Sequence, residues 1–175
     1  MYELKKIELA DMEAIRVARN EQIDVLRQKH PISKEEQIAY FNNAVAVEQA
    51  KKNPQMILYS LFKDGLWIGY GGLVHIDWEH KRAEVSFLVA TARAQDEKLY
   101  AQDFSNFLKL LTKIAFVDLK LHRLYTETFA FRKEHIQILE KFGFKKEGVL
   151  KEHLLIKGIP HHSIMHGLLA KEVLK

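Results

Sequence analysis

The chain contains no cysteine. That excludes a disulfide framework, a zinc–thiolate site and a thiol nucleophile, and it agrees with a cytoplasmic home. Also missing is any apolar run approaching the ~20 residues needed to cross a bilayer. The first residues, MYELKKIELADMEAIR, hold no signal-peptide core, so no membrane association is expected. There is no concentrated basic stripe either. The net charge of +4 is spread along the chain, with lysines interleaved among Asp and Glu, and no nucleic-acid partner is expected. A mild positive excess of this kind suits a small polyanionic ligand. Nine histidines are present, but without ligand-like spacing, and no metal site is expected.

What the chain does have is an ordinary globular composition, 47% hydrophobic and 29% charged over 175 residues. With no repeat, linker or low-complexity tract, residues 1–175 read as a single domain. A strand over Tyr2 to Leu9 is expected to end at Asp11, which caps a helix reaching about Asn20. Ser33 and Glu36 have the S-x-x-E capping-box spacing, and Ile38, Phe41 and Val45 follow at helical intervals. From Met56 the period changes to strands. Asp64-Gly65 marks a type I′ hairpin turn between Met56–Lys63 and Leu66–Ile76, and a third strand spans Ala83–Ala90. A long helix then carries Phe104, Phe107, Leu108, Leu111, Ile114, Ala115 and Asp118 on one stripe.

The segment LHRLYTETFAFRKEHIQILEKFGFKKEGV, Leu121 to Val149, reads as strand, short helix and strand. Leu124, Thr126 and Thr128 alternate with Tyr125, Glu127 and Phe129, then Ile136, Leu139 and Phe142 fall at helical spacing. Gly143 fits the left-handed residue that ends such a helix, with Phe144 folding back onto it. Glu152 to Lys157, the Gly158-Ile159-Pro160 turn and a final strand from about Ser163 to Leu169 complete the chain. The resulting order is β-α-α-β-β-β-α-β-α-β-β. LEKFGF followed by EG resembles the C-terminal motif of the GNAT family of N-acetyltransferases, and the element order resembles that family over nearly the whole length. The resemblance implies an α/β (α+β) fold with a mixed, mostly antiparallel sheet of about seven strands. It also implies direct transfer of an acetyl group from acetyl-CoA to a primary amine, with no metal.

Further implications fall on particular residues. The family's pyrophosphate cradle, a (Q/R)-x-x-G-x-(G/A) loop before the long helix, has no glycine counterpart in ATARAQDEKLYAQDFSNF. Aligning the helix ends puts Gln102 and Phe104 where the small residues belong and the cradle at residues 98 to 105, with Arg93, Lys98 and Tyr100 able to support the backbone amides. Phe87, Leu88 and Val89 match the strand edge that takes pantetheine. Glu84 matches the glutamate that serves many members as base, and His75, Asp77 and Trp78 end the neighbouring strand, with His75 and Asp77 expected on one face. The asparagine and tyrosine that many members carry in the last helix are replaced by Arg132 and Leu139. Arg132 is then placed to reach CoA phosphate, and His135 to stand near the thioester sulfur.

RNEQIDVLRQKHPIS resembles the branch acting on nucleotide-linked amino sugars and its N-terminal-acetylating cousins, which casts Arg19, Asn20 and Arg27 as acceptor-binding residues. A small-molecule amine is the expected acceptor and a homodimer an admissible assembly. Protein N-terminal acetylation and a binding module without catalysis are the alternatives.

Overall fold

A computed structural model describes residues 1–174. Its seven strands form one sheet in the order β1-β2-β3-β4-β5-β7-β6. They are β1 (Tyr2–Lys6), β2 (Ile57–Lys63), β3 (Leu66–Asp77), β4 (Arg82–Val89), β5 (Arg123–Phe129), β6 (Lys145–Ile156) and β7 (Ile159–Leu169). The helices are α1 (Met12–Glu21), α2 (Lys34–Tyr40), α3 (Ala46–Gln49), α4 (Thr91–Ala94), α5 (Glu97–Lys113), α6 (Lys133–Phe142) and α7 (Ala170–Val173). A π-helical turn, Phe41–Val45, joins α2 to α3. Among the described residues no helix is long and apolar enough to cross a membrane.

Local chemistry accounts for most boundaries. Ser33 Oγ accepts from Glu36 N while the Glu36 carboxylate accepts from Ser33 N at 2.7 Å, so the expected capping box opens α2. Asp64 and Gly65 turn β2 into β3 with φ of 52° and 82°, the positive pair a type I′ turn requires. Gly143 (φ 123°) stops α6, and Phe144 N returns to Leu139 O at 3.0 Å, burying the Phe144 ring. Asp11 stands at the N-cap of α1, but its side chain makes no bond to that helix. It accepts instead from Glu8 N and Ser60 Oγ, pinning the helix start to β2. The last turn is Lys157-Gly158 (φ 52° and 78°), and Pro160 already lies in β7.

Strand alternation sends side chains to both faces, and each face has its own core. Leu73, Val85, Phe87 and Val89 pack beneath Phe104, Phe107, Leu108 and Leu111 of α5 and Leu139 of α6. On the opposite face Leu58, Tyr70 and Leu88 pack against Met12, Ile15 and Ala18 of α1 and Val45. Helices therefore cover the sheet on both sides. The single parallel pairing positions the site: β4 and β5 stay in register only from Arg82/Arg123 to Glu84/Tyr125, and beyond Glu84 the two strands diverge. Each strand keeps its other neighbour, β3 and β7, so the split is a cleft within a continuous sheet.

Candidate active site

The cleft between the diverging strands has a volume of about 300 Å³. One wall is Glu84–Phe87 of β4, the other Thr126–Phe129 of β5, and Arg132 and His135 close one end. A second cavity of about 870 Å³ lies between the sheet and helices α1 to α3, lined largely by apolar side chains with Tyr40 and Tyr70. The two share Arg19, Val74, His75 and Ser86. A molecule lying along the open edge of β4 and another filling the larger chamber would meet beside His75.

His75 reaches this junction through a bulge. The β3–β4 register breaks between Val74 and Asp77, and His75 takes φ of 50°. Holding a side-chain-bearing residue there costs about 1–3 kcal/mol. Its Nδ1 lies 2.8 Å from Glu84 Oε2. Glu84 is mostly buried, with 13% of its side chain exposed, and its other oxygen lies 3.9 Å from Arg27. Arg27 pairs more closely with Glu127, at 2.8 Å. The bulge also decides what Asp77 does. Asp77 and His75 do not share the site as expected: Asp77 accepts from His80 N at 2.9 Å and from Arg82 Nε at 3.3 Å, closing the β3–β4 turn. The His80 amide, with Arg82, holds the Asp77 carboxyl below its ordinary range. Trp78 donates to Pro54 O at 2.8 Å and packs against the core, lining neither cavity.

Arg19 lines both cavities, half-buried. It donates to Tyr70 Oη at 2.8 Å and to Gln28 Oε1 at 3.0 Å. Among the described residues it has no carboxylate partner within salt-bridge distance, so its charge is left for something in the cavities. Asn20 differs. Its amide donates to Ile32 O and accepts from Ile32 N, both at 2.8 Å, and also accepts from Gln28. Asn20 holds the loop between α1 and α2 in place; its polar atoms are consumed there.

The cofactor end departs from expectation. Asp96 caps α5, its Oδ1 accepting from the backbone amides of Lys98 and Leu99 at 3.0 Å each. The chain's own carboxylate thus fills the anion position at this helix N-terminus, and residues 98 to 105 offer no open amide cradle. Glu97 and Glu134 lie against each other nearby; burial and the Glu97 charge raise the Glu134 carboxyl above its ordinary value. Lys98 is an exposed cation on the first turn, and Gln102 faces solvent with its carbonyl taken by Asn106. Phe104 is a core residue, wholly buried and stacked on Phe87 at 4.5 Å and His135 at 4.3 Å. The glycine loop's counterpart is not one turn into α5, because the stripe that buries Phe104 fixes the helix rotation. Arg93 is spent on Asp103, with contacts of 2.5 and 2.8 Å.

The arm-binding part fits better. Beyond Glu84, Val85 to Leu88 have no strand on their β5 side, while the Val89 carbonyl is occupied by Gln22 Nε2 at 2.7 Å. An extended amide chain can pair with that open edge. Tyr100 is buried away from the expected phosphate position; its hydroxyl contacts His135 Nδ1 at 2.6 Å and takes a bond from Arg132 Nη2 at 2.9 Å. His135, expected near the cleft, does line it. Helix α6 buries His135, Ile138 and Leu139 and leaves Ile136 and Phe142 partly exposed. Tyr100 and Phe104 draw His135 inward and thereby set the rotation of α6. Sequence reasoning passed over Glu127, Ser86, Thr126 and Thr128, all cleft-lining. The alternation of β5 signals two opposite faces, but only the divergence from β4 opens residues of both to one cleft.

The fold has counterparts among solved structures. Spermidine N-acetyltransferase from Vibrio cholerae in complex with CoA and spermine superimposes with a TM-score of 0.86 at 19% identity, over 99% of this chain and 98% of that one. A point mutant of that enzyme gives 0.82 at 20% identity, over 99% and 96%. Its dodecameric form in an intermediate state gives 0.81 at 19% identity, over 99% and 96%. A comparison with curated protein sequences gives no match. The model of the acetyltransferase (GNAT) domain matches residues 4–165, the whole stretch that builds the cleft and the chamber. The chain therefore belongs to the GNAT acetyltransferases, N-acetyltransferases that take their acetyl group from acetyl-CoA.

Proposed function

We propose that the chain acetylates the primary amine of a small molecule that also carries an anionic group, a nucleotide-linked amino sugar being the leading class. The observation that carries this reading is the junction of cleft and chamber at His75, with Arg19 lining both and lacking a carboxylate partner among the described residues. An ammonium acceptor must lose a proton before it can attack. His75 is placed to take it on Nε2 while Nδ1–H stays on Glu84 at 2.8 Å, so that the carboxylate orients the imidazole and stabilises its cation. Glu84 is in this reading the group that orients His75. When bound, acetyl-CoA supplies the activated acetyl thioester. Val85 to Leu88 and Thr126 to Phe129 would hold its arm, and Arg132 at the end of the cleft supplies positive charge.

Electrostatics favour an anionic acceptor over a polyamine. Among the described residues Glu48 is the one carboxylate lining the larger chamber, and it is already paired with Lys51; the two carboxylates lining the cleft, Glu84 and Glu127, are held by His75 and Arg27. A polyamine brings two or more ammonium groups, each needing a carboxylate to offset its desolvation. A guanidinium without a partner suits phosphate, which it can bind through two donors. The polyamine reading has its own support in the fold shared with the spermidine enzyme. The test is an acetyl-transfer assay over nucleotide-linked amino sugars, polyamines and peptides with free N-termini. Transfer to amino sugars alone is expected. Transfer to polyamines alone, or to peptides alone, overturns the acceptor assignment.

A further inference from the structure

The last stretch of the cleft is closed by a chain of three side chains whose protons can be assigned from geometry. Arg132, just before α6, donates from Nη2 to Tyr100 Oη at 2.9 Å. A guanidinium is always a donor, so the hydroxyl oxygen accepts here, and its own proton is free for a second partner. Among the described residues the acceptor within reach of that proton is His135 Nδ1, 2.6 Å away, and the opposite arrangement, Nδ1–H donating to the hydroxyl, would leave the buried hydroxyl proton unpaired. Burial, then Arg132 and His166, push the imidazole pKa well below the ordinary value, which favours the neutral ring. A neutral ring that accepts at Nδ1 must carry its proton on Nε2. Phe104, stacked on the ring at 4.3 Å and 17°, fixes the imidazole plane.

The Nε2 atom has no hydrogen-bond partner among the described residues, yet it is not one of the sealed, unpaired polar atoms. His135 retains 8% exposure and lines the cleft. A ring with one edge locked and the other open is an unsatisfied donor presented to whatever occupies the cleft. Sequence resemblance placed His135 near the reacting sulfur, but it says nothing about which nitrogen carries the proton.

We propose that His135 acts as a neutral hydrogen-bond donor, offering Nε2–H to the negative charge that develops on the acyl donor, and that Tyr100 and Arg132 are positioning residues that lock this tautomer. The proposal rests on the acetyl-transfer reading of the site. No proton leaves His135: the bond strengthens as charge appears, and the Arg132–Tyr100–His135 chain polarises it further. A preorganised donor of this kind accounts for help to the leaving group in a chain where Leu139 stands at the family's tyrosine position.

The experiment reads the tautomer directly. Long-range ¹H–¹⁵N correlation spectra of histidine-labelled free protein should show His135 as the Nε2–H form throughout pH 6 to 8, and Tyr100→Phe should mix the two tautomers. Slow hydrolysis of acetyl-CoA without acceptor then provides an activity that does not depend on knowing the amine. His135→Phe, which keeps the stacking, should lower that rate by about 10²–10³-fold, the usual worth of one such donor, with acetyl-CoA affinity held within about threefold. His135→Gln should recover much of the loss, since its amide can donate from a similar position. An Nδ1–H tautomer, a charged ring at pH 7, or a His135→Phe protein that melts normally and hydrolyses at the wild-type rate overturns the proposal. Wild-type protein that neither binds nor hydrolyses acetyl-CoA would instead remove the reading beneath it, whatever the spectra show.

Discussion

His75 Nδ1 lies 2.8 Å from Glu84 Oε2 because a bulge in β3 forces His75 to φ 50° and turns it across the sheet. An unbulged strand would hold His75 in register with β4 and leave Glu84 without this partner. The backbone strain at His75 is therefore spent on assembling a histidine–carboxylate pair where cleft and chamber meet.

If that pair takes the proton from the acceptor, Glu84→Gln should lower kcat by about 10²–10⁴-fold with little change in acetyl-CoA affinity. His75→Asn should fall in the same range, and the double variant should lose little more than either alone, since the two act as one unit. Additive losses in steady-state kinetics would show that they work separately.

Arg19→Gln should raise the KM for an anionic acceptor by an amount equivalent to about 1.5–3 kcal/mol, the worth of a hydrogen bond to a charged group. The effect on kcat should be smaller. An acceptor lacking the anionic group should be acetylated equally well by both proteins, and a uniform loss for every acceptor would make Arg19 a purely structural link between α1 and Tyr70.

Asp96→Asn keeps an N-cap side chain but removes the charge that stands over the Lys98 and Leu99 amides. Acetyl-CoA should bind several-fold more tightly by calorimetry, because charge at a helix N-terminus is worth about 0.3–1 kcal/mol. Acetyl-pantetheine, which has no diphosphate, should show no gain. Equal gains for both compounds would rule out competition between Asp96 and phosphate.

A pH dependence follows from Arg123 and Glu147, which tie β5 to β6 with one contact at 2.7 Å. The Arg123 hydrogen bond holds the Glu147 carboxyl below its ordinary 4.5. A depressed carboxyl stabilises the fold above its unfolded value, and that contribution is lost as pH falls through the folded value. Glu147→Gln should therefore be less stable than wild type at pH 7, with the gap closing below pH ~4.5. Urea midpoints at pH 7 and pH 3 check this; a gap that persists at pH 3 would point to packing alone.

Asn20 offers a contrast with Arg19, one residue away. Its three bonds to Ile32 and Gln28 order the loop after α1. Asn20→Ala should destabilise the protein by about 1–3 kcal/mol, since Ile32's backbone groups would lose their partner. Thermal melting reads that loss directly, and an unchanged melting temperature would refute this structural role for Asn20.

The amino-acid sequence by itself determined the elements and their order. The Ser33–Glu36 box, the Asp64-Gly65 turn, the Gly143 stop and the alternation of β5 are all local signals, written within a few residues of where they act. Those elements in that order, together with LEKFGF followed by EG, carried the resemblance to the family that the GNAT domain match shows. Glu84, His75, Arg132 and His135, named from their places on strands and helices, all line the cleft. Their partners were not legible. His135 meets Tyr100 across 35 residues of chain and Arg19 meets Tyr70 across 51, contacts that exist only once the sheet order brings α5 against α6 and α1 against β3. The bulge at His75, the burial of Phe104 and the Asp96 cap over α5 were decided in the same way, by which neighbour each side chain met in three dimensions. Periodicity says which face a residue is on; only packing says what waits there.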